Sequence, residues 1–199
     1  METRVLPQEL SEVRAIKNDE GIWQIPGKAI VFDQRSRKIG WFFEVIDSRA
    51  LDNARMEDAI SCFNHNMTHI LGTVRNKTTS YDIKSDCMEY RILPPDNPTT
   101  KDLVLDPIIR RDVTGSSFMF NVASRGGDEW IQEEGGIVIR YVKKIEEVYE
   151  FGPVSMPAYL NTQTDIAKRS FDQFIKDTKQ HELTFRSQMA KRQLSLIQR

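Results

Sequence analysis

The chain has 199 residues, 39% hydrophobic and 29% charged, with 28 Lys and Arg against 29 Asp and Glu. This length and composition exclude wholesale disorder and two full-sized domains, and they supply apolar material for one sizeable core. The net charge of −1 leaves no global footprint for nucleic acid, no apolar run approaches the ~18 residues of a bilayer span, and Cys62 and Cys87 alone cannot build a disulfide scaffold. We therefore expect a soluble, intracellular, globular protein that binds neither nucleic acid nor a membrane. Met1 to Glu20 is charged and carries no signal-peptide core.

In chain order, the first strand expected is 27–32, an apolar run opened by Pro26-Gly27. A second covers 41–46, Trp-Phe-Phe-Glu-Val-Ile, rich in β-forming residues. Asp47 or Ser48 then suits the cap of a short helix through Ala59, with Ala50, Leu51 and Ala54 on its path. Strands are expected at 70–74 and 88–93, the latter stopped by Pro94-Pro95. Thr99 or Thr100 opens a helix to about Ile109, and 116–122, 136–142 and 147–151 read as three more strands. Many short strands with few helices imply an α+β fold that is mostly β, a barrel or sandwich with flanking helices. From Thr162 the composition shifts. Residues 162–199 hold eight basic and four acidic residues and no Gly, Pro, Trp or Cys, whereas 1–161 hold 20 basic and 25 acidic. We expect a domain over 1–161 and a basic helical or flexible tail over 162–199.

Three segments carry groups that could do chemistry. In the first, His65 and His69 are spaced to share a helical face and hold a metal, but no Glu follows His65 and no third ligand cluster accompanies them. His65, between two Asn residues in a loop, suits a general base that reaches into a cleft. In the second, Phe118, Phe120 and Val122 alternate toward a core, so Ser117, Met119 and Asn121 face the other way. That alternation favours Ser117 over Ser116 as a hydroxyl nucleophile, although a Ser-Ser pair at a strand head also reads as a turn or bulge. The backbone at Thr114-Gly115 is placed to offer N–H groups to an oxyanion, and Arg110 and Arg111 to steady that loop. In the third, Glu150 stands in an apolar stretch before Pro153. It suits the task of orienting an imidazole, unless it is an exposed strand carboxylate like Glu146 and Glu147.

Taken in order, these segments resemble the tailed-phage prohead protease family, the serine peptidases of capsid maturation. The resemblance runs through Gly27-Lys28-Ala29-Ile30-Val31-Phe32, Phe42-Phe43-Glu44-Val45-Ile46, Phe63-Asn64-His65 with Leu71-Gly72, Arg110 to Phe120, and Glu150 to Tyr159. It covers about 25–162. Three motifs depart from the family's pattern: Arg111 and Met119 stand where it has Gly, and Phe151-Gly152 where it has Val-Ser. The resemblance implies Ser117 as nucleophile, His65 as general base and Glu150 as the orienting acid. It implies an assemblin-like β-barrel, as in the herpesvirus enzymes. It further implies a serine endopeptidase, free of metal and cofactor, that cleaves scaffold protein or the scaffolding segment of the major capsid protein, and itself, inside the assembling procapsid in the host cytoplasm. A homodimer is compatible with this reading. A non-catalytic capsid-assembly or scaffold-binding module of the same fold is the alternative from another class, and a metalloprotein built on His65 and His69 is the third.

Overall fold

The computed structural model describes residues 1–155, 167–176 and 179–180. The chain divides into two units, Met1–Asn161 and Thr162–Arg199. In the second, 167–176 is helical. Pro157, Ala158, Tyr159, His181 and most of the expected tail lie outside the described residues.

Among the described residues, the first unit holds twelve strands in three sheets. The largest sheet contains β1 (Glu2–Leu6), β9 (Gly115–Val122), β12 (Ile145–Val154), β5 (Ile60–Phe63) and β6 (Asn66–Thr73), in that spatial order. A four-stranded sheet runs β2 (Ile16–Lys17), β3 (Trp23–Val31), β8 (Cys87–Ile92) and β7 (Thr79–Ile83). A three-stranded sheet runs β10 (Asp128–Gln132), β11 (Val138–Val142) and β4 (Phe43–Ile46). Most neighbours are antiparallel; β4 with β11 and β5 with β12 run parallel.

One apolar core joins the three sheets. Ile25, Ala29 and Ile30 of β3 and Met88, Tyr90 and Ile92 of β8 meet Phe118 and Phe120 of β9 and Val148 and Phe151 of β12, with Ile46 and Val142 from the third sheet. Alternation explains the faces of β8 and β9, since every second residue of a strand points the same way. Register shifts at Lys28/Ile30 and Val148/Glu150 bring Ala29 with Ile30, and Val148 with Phe151, to the core. The chain is thus mostly β with few helices. The sheets do not close on one another: the five-stranded sheet ends at β1 and β6. A barrel needs one continuous ladder around its circumference, and here side-chain packing spans the gaps instead.

The helix expected over 48–59 is absent. That stretch is a series of single turns, with Ala50 N–H on the Asp47 carbonyl, Asp52 on Arg49 and Ala54 on Leu51. Its backbone groups are used by other segments: Ile145 N–H donates to the Ala50 carbonyl, Arg55 N–H to Glu146, and Val148 N–H to Arg55. A carbonyl engaged in this way has no need of an i+4 partner. The helix expected from Thr99 or Thr100 to about Ile109 is present as a helical run of an α-helical turn (Pro98–Thr100), a π-helical turn (Lys101–Leu105) and a further α-helical turn (Asp106–Ile109). It is capped by Asn97, whose side chain accepts from Thr100 N–H.

Candidate active site

Three strands of the largest sheet bring the expected side chains together. Ser117 lies on β9, opposite Val5 of β1 on one side and Gly152 of β12 on the other. Its face is opposite the Phe118 and Phe120 face, as alternation requires. Ser116 points into the core, where its hydroxyl meets the Tyr90 hydroxyl at 3.2 Å. Burial pushes the Tyr90 phenol well above its ordinary range.

Glu150 reaches the Ser117 face through a β-bulge. Val148 pairs with Phe120 and Glu150 with Met119, so Tyr149 is the extra residue. Without it, Val148 and Glu150 would share a face, and the carboxylate would enter the apolar core. Met119, which stands where the family's pattern has Gly, pairs regularly with both Thr3 and Glu150; the irregularity lies across from it on β12.

His65 sits at the tip of the β5–β6 hairpin. Asn64 and His65 have φ of 53° and 58°, the left-handed pair of a type I′ turn, closed by Phe63 opposite Asn66. The sequence placed this residue in a loop after a helix; it is a two-residue turn between strands. The hairpin leans over β12. Gly152 makes that approach possible, since a Cβ there would lie 2.6 Å from the Cys62 carbonyl oxygen.

The three groups form a chain. Ser117 Oγ is 2.8 Å from His65 Nε2, and His65 Nδ1 is 2.7 Å from Glu150 Oε2. An ionised carboxylate only accepts, so it fixes the ring proton on Nδ1 and leaves Nε2 free to accept from the serine. Ser117 Oγ also lies 2.9 Å from the Arg4 carbonyl of β1, so one hydroxyl proton has two acceptors within reach. Ser117 and Glu150 are buried, while the imidazole keeps 23% of its surface. Glu150 Oε1 is buried with no hydrogen-bond partner among the described residues, a costly arrangement that structural carboxylates avoid.

The neighbours are inert by comparison. Burial and the nearby Glu150 push the Cys62 thiol up to about 12. His69 is on β6, not on a helical face with His65, and its Nδ1 is 2.8 Å from the Asn66 side-chain nitrogen. Arg110 pairs with Asp112. Arg111, where the resembling family has Gly, has φ of 70° and donates to the Val13 carbonyl at 3.3 Å. Gly115 begins β9 opposite Val154.

Sequence reasoning missed what surrounds the chain of three: the Arg4 carbonyl, the Gly152 approach and the role of Asn64. Only the last had a signal, since Asn followed by a second residue tolerant of positive φ is a hairpin-turn pattern.

A family model described as caudovirus prohead serine protease matches residues 9–177. The match takes in Ser117, His65 and Glu150 and leaves out β1. No curated protein and no solved structure matches the chain.

Proposed function

The chain belongs to the caudovirus prohead serine protease family, a family of bacteriophage capsid maturation, and from that premise we propose that Ser117, His65 and Glu150 are its catalytic residues. The observation that carries the reading is the unbroken path from Ser117 Oγ through both imidazole nitrogens to Glu150, at 2.8 and 2.7 Å. Nucleophile, base and orienting acid each lie within hydrogen-bond reach of the next.

In this reading, His65 Nε2 takes the hydroxyl proton as Ser117 Oγ attacks a peptide carbonyl. Glu150 stabilises the imidazolium that results, with low surrounding dielectric strengthening the attraction. His65 then gives the proton to the leaving amine. Water, deprotonated by the same nitrogen, releases the acyl group. Backbone N–H groups near Ser117 hold the oxyanion, worth about 3–4 kcal/mol per donor. The reaction calls for neither metal nor organic cofactor.

The substrates proposed are scaffold protein, or the scaffolding segment of the major capsid protein, and the enzyme itself, within the procapsid. The domain proposed for this work is 1–161. An assemblin-like fold belongs to the same proposal, supported by three β-sheets that share a single apolar core. Complete burial of Ser117 favours the second reading, a non-catalytic assembly module, because a substrate carbonyl must first gain access to Oγ.

The test is co-expression with the phage's own capsid protein, read by mass spectrometry. Wild type should yield trimmed capsid protein and Ser117→Ala should not. A serine-directed phosphonate should add to Ser117 in the wild type. Uncleaved capsid protein together with no adduct supports the assembly module instead.

A further inference from the structure

Asn64 is bonded in a way that its turn does not require. A type I′ turn needs only a residue that tolerates positive φ at its first central position, and Gly meets that need as well as Asn. Yet Asn64 Oδ1 accepts from Ser155 N–H at 2.8 Å and from Ser155 Oγ at 3.0 Å. Its own N–H donates to the Pro153 carbonyl at 3.1 Å. One bond runs to Pro153 near the end of β12 and two run to Ser155, the residue just beyond it.

That destination matters for the geometry of the site. Glu150 is on β12, and Pro153 of the same strand faces Ser116, next to the nucleophile. The hairpin tip is therefore fastened to the strand that carries one of His65's partners and lies alongside the other. His65 follows Asn64 directly and shares its left-handed backbone, so a rotation at residue 64 swings the imidazole. A non-Gly residue at positive φ is held only when its surroundings over-determine it.

We propose that Asn64 is a positioning residue: its side-chain amide clamps the His65 turn to Pro153–Ser155 and so sets the imidazole between Ser117 and Glu150. It touches no reacting atom. Its effect passes through the placement of His65, where an error of about 1 Å costs on the order of 100-fold in rate. The proposal rests on the catalytic reading of His65, and the experiment separates the two.

The experiment compares full-length wild type with Asn64→Gly, Asn64→Asp and Ser155→Ala. Asn64→Gly keeps the turn and removes the clamp; Asn64→Asp keeps an acceptor oxygen in place. The first readout is the phosphonate reaction of Ser117, resolved into saturation and maximal rate. The second is the imidazole NMR spectrum, in which a His65 Nδ1–H bonded to Glu150 gives a downfield resonance. Asn64→Gly should lower the maximal rate about 10- to 100-fold at unchanged saturation and broaden that resonance. Asn64→Asp should recover the resonance and the greater part of the rate. Ser155→Ala should lie between, because its N–H still donates.

Wild-type rate and a sharp resonance in Asn64→Gly would overturn the proposal. Should that variant fail to fold, an unaltered Ser155→Ala would overturn it equally. A wild type that takes no phosphonate sinks the catalytic reading, and the NMR series then still decides whether Asn64 orients the ring.

Discussion

Two adjacent serines differ because one strand has two faces. Ser117 Oγ meets His65, whereas Ser116 Oγ meets Tyr90 and, at 3.4 Å, the Gly152 carbonyl. Ser117→Ala should therefore abolish proteolysis with the fold intact. Ser116→Ala should retain cleavage and lose about 1 kcal/mol of stability, since it leaves a buried Tyr90 hydroxyl short of a bond. Peptide cleavage assays and denaturant melts on both variants check this; activity in the first and none in the second would shift the nucleophile by a residue. Cys62 supplies another expectation. Its thiol is buried and pushed up to about 12, so it stays neutral at working pH. Maleimide and iodoacetamide should neither modify it in the folded protein nor inhibit cleavage, as intact-mass measurement and assay will show. At this scale Ser117 was legible, because Phe118 and Phe120 declare the core face without ambiguity. The apolar stretch around Glu150 marked it as a candidate, but the face it takes was not legible. Alternation alone puts it beside Val148 on the core face, and no feature of Tyr149 announces the bulge that turns it round.

Among the elements, β1 is held to the rest of the molecule by buried charge. Arg4 bonds Glu44 of β4 through Nε and Nη2 and also bonds Glu2; Arg140 of β11 grips both oxygens of Glu2 and bonds Glu44 and Asp128. Glu2, Arg4, Glu44 and Arg140 are all buried. Taking one cation from such a group strands the carboxylates it served, at about 3–5 kcal/mol. Arg140→Met should therefore destabilise by that amount in urea melts, and the loss should reach the site, because the carbonyl of Arg4 touches Ser117. Acidity should act through the same group. Burial raises the Glu2 carboxyl, but Arg140 and Arg4 outweigh it and hold it below its ordinary 4.5. The folded state then binds fewer protons than the unfolded one, so this contribution is present above about pH 4.5 and is lost as pH falls through the lowered value. Melts from pH 7 downward should show stability declining below that point, with a shallower decline in Arg140→Met. This strand was invisible in the sequence for the same reason that it is held firmly. In Glu2-Thr3-Arg4-Val5-Leu6 the charged residues are the inward ones, the inverse of the pattern that marks a half-buried strand. By contrast β3, β8 and β9 carry apolar residues inward and were legible. The turns of 48–59 mimicked a helix because Ala50, Leu51 and Ala59 are buried and Ala54 is partly buried against the core, at near-helical spacing.

For the whole molecule, the question is what 162–199 adds. Ser117, His65, Glu150 and all twelve described strands belong to Met1–Asn161, and the chain's units divide immediately after it. The family match nevertheless continues to residue 177, so part of the second unit belongs to the family's pattern. With the proposed catalytic groups in one unit and family sequence in both, we expect a division of labour: chemistry in the first, delivery in the second. Charge agrees with that division, since 162–199 carry eight basic against four acidic residues while 1–161 carry an acidic excess. A basic segment draws an acidic partner by steering, which raises encounter rates and is screened by salt within a Debye length of about 8–10 Å. We therefore expect a chain ending at Asn161 to fold, to react with the phosphonate and to cleave a short peptide at the full-length rate. Against assembled procapsids it should be slower, and the full-length advantage should shrink as salt is raised. Thermal melts and paired assays at low and high ionic strength measure each part. A truncated chain that is insoluble, or that melts far below the full-length protein, would make 162–199 part of the catalytic core. An advantage indifferent to salt would leave the tail's role intact but make its attraction apolar rather than electrostatic.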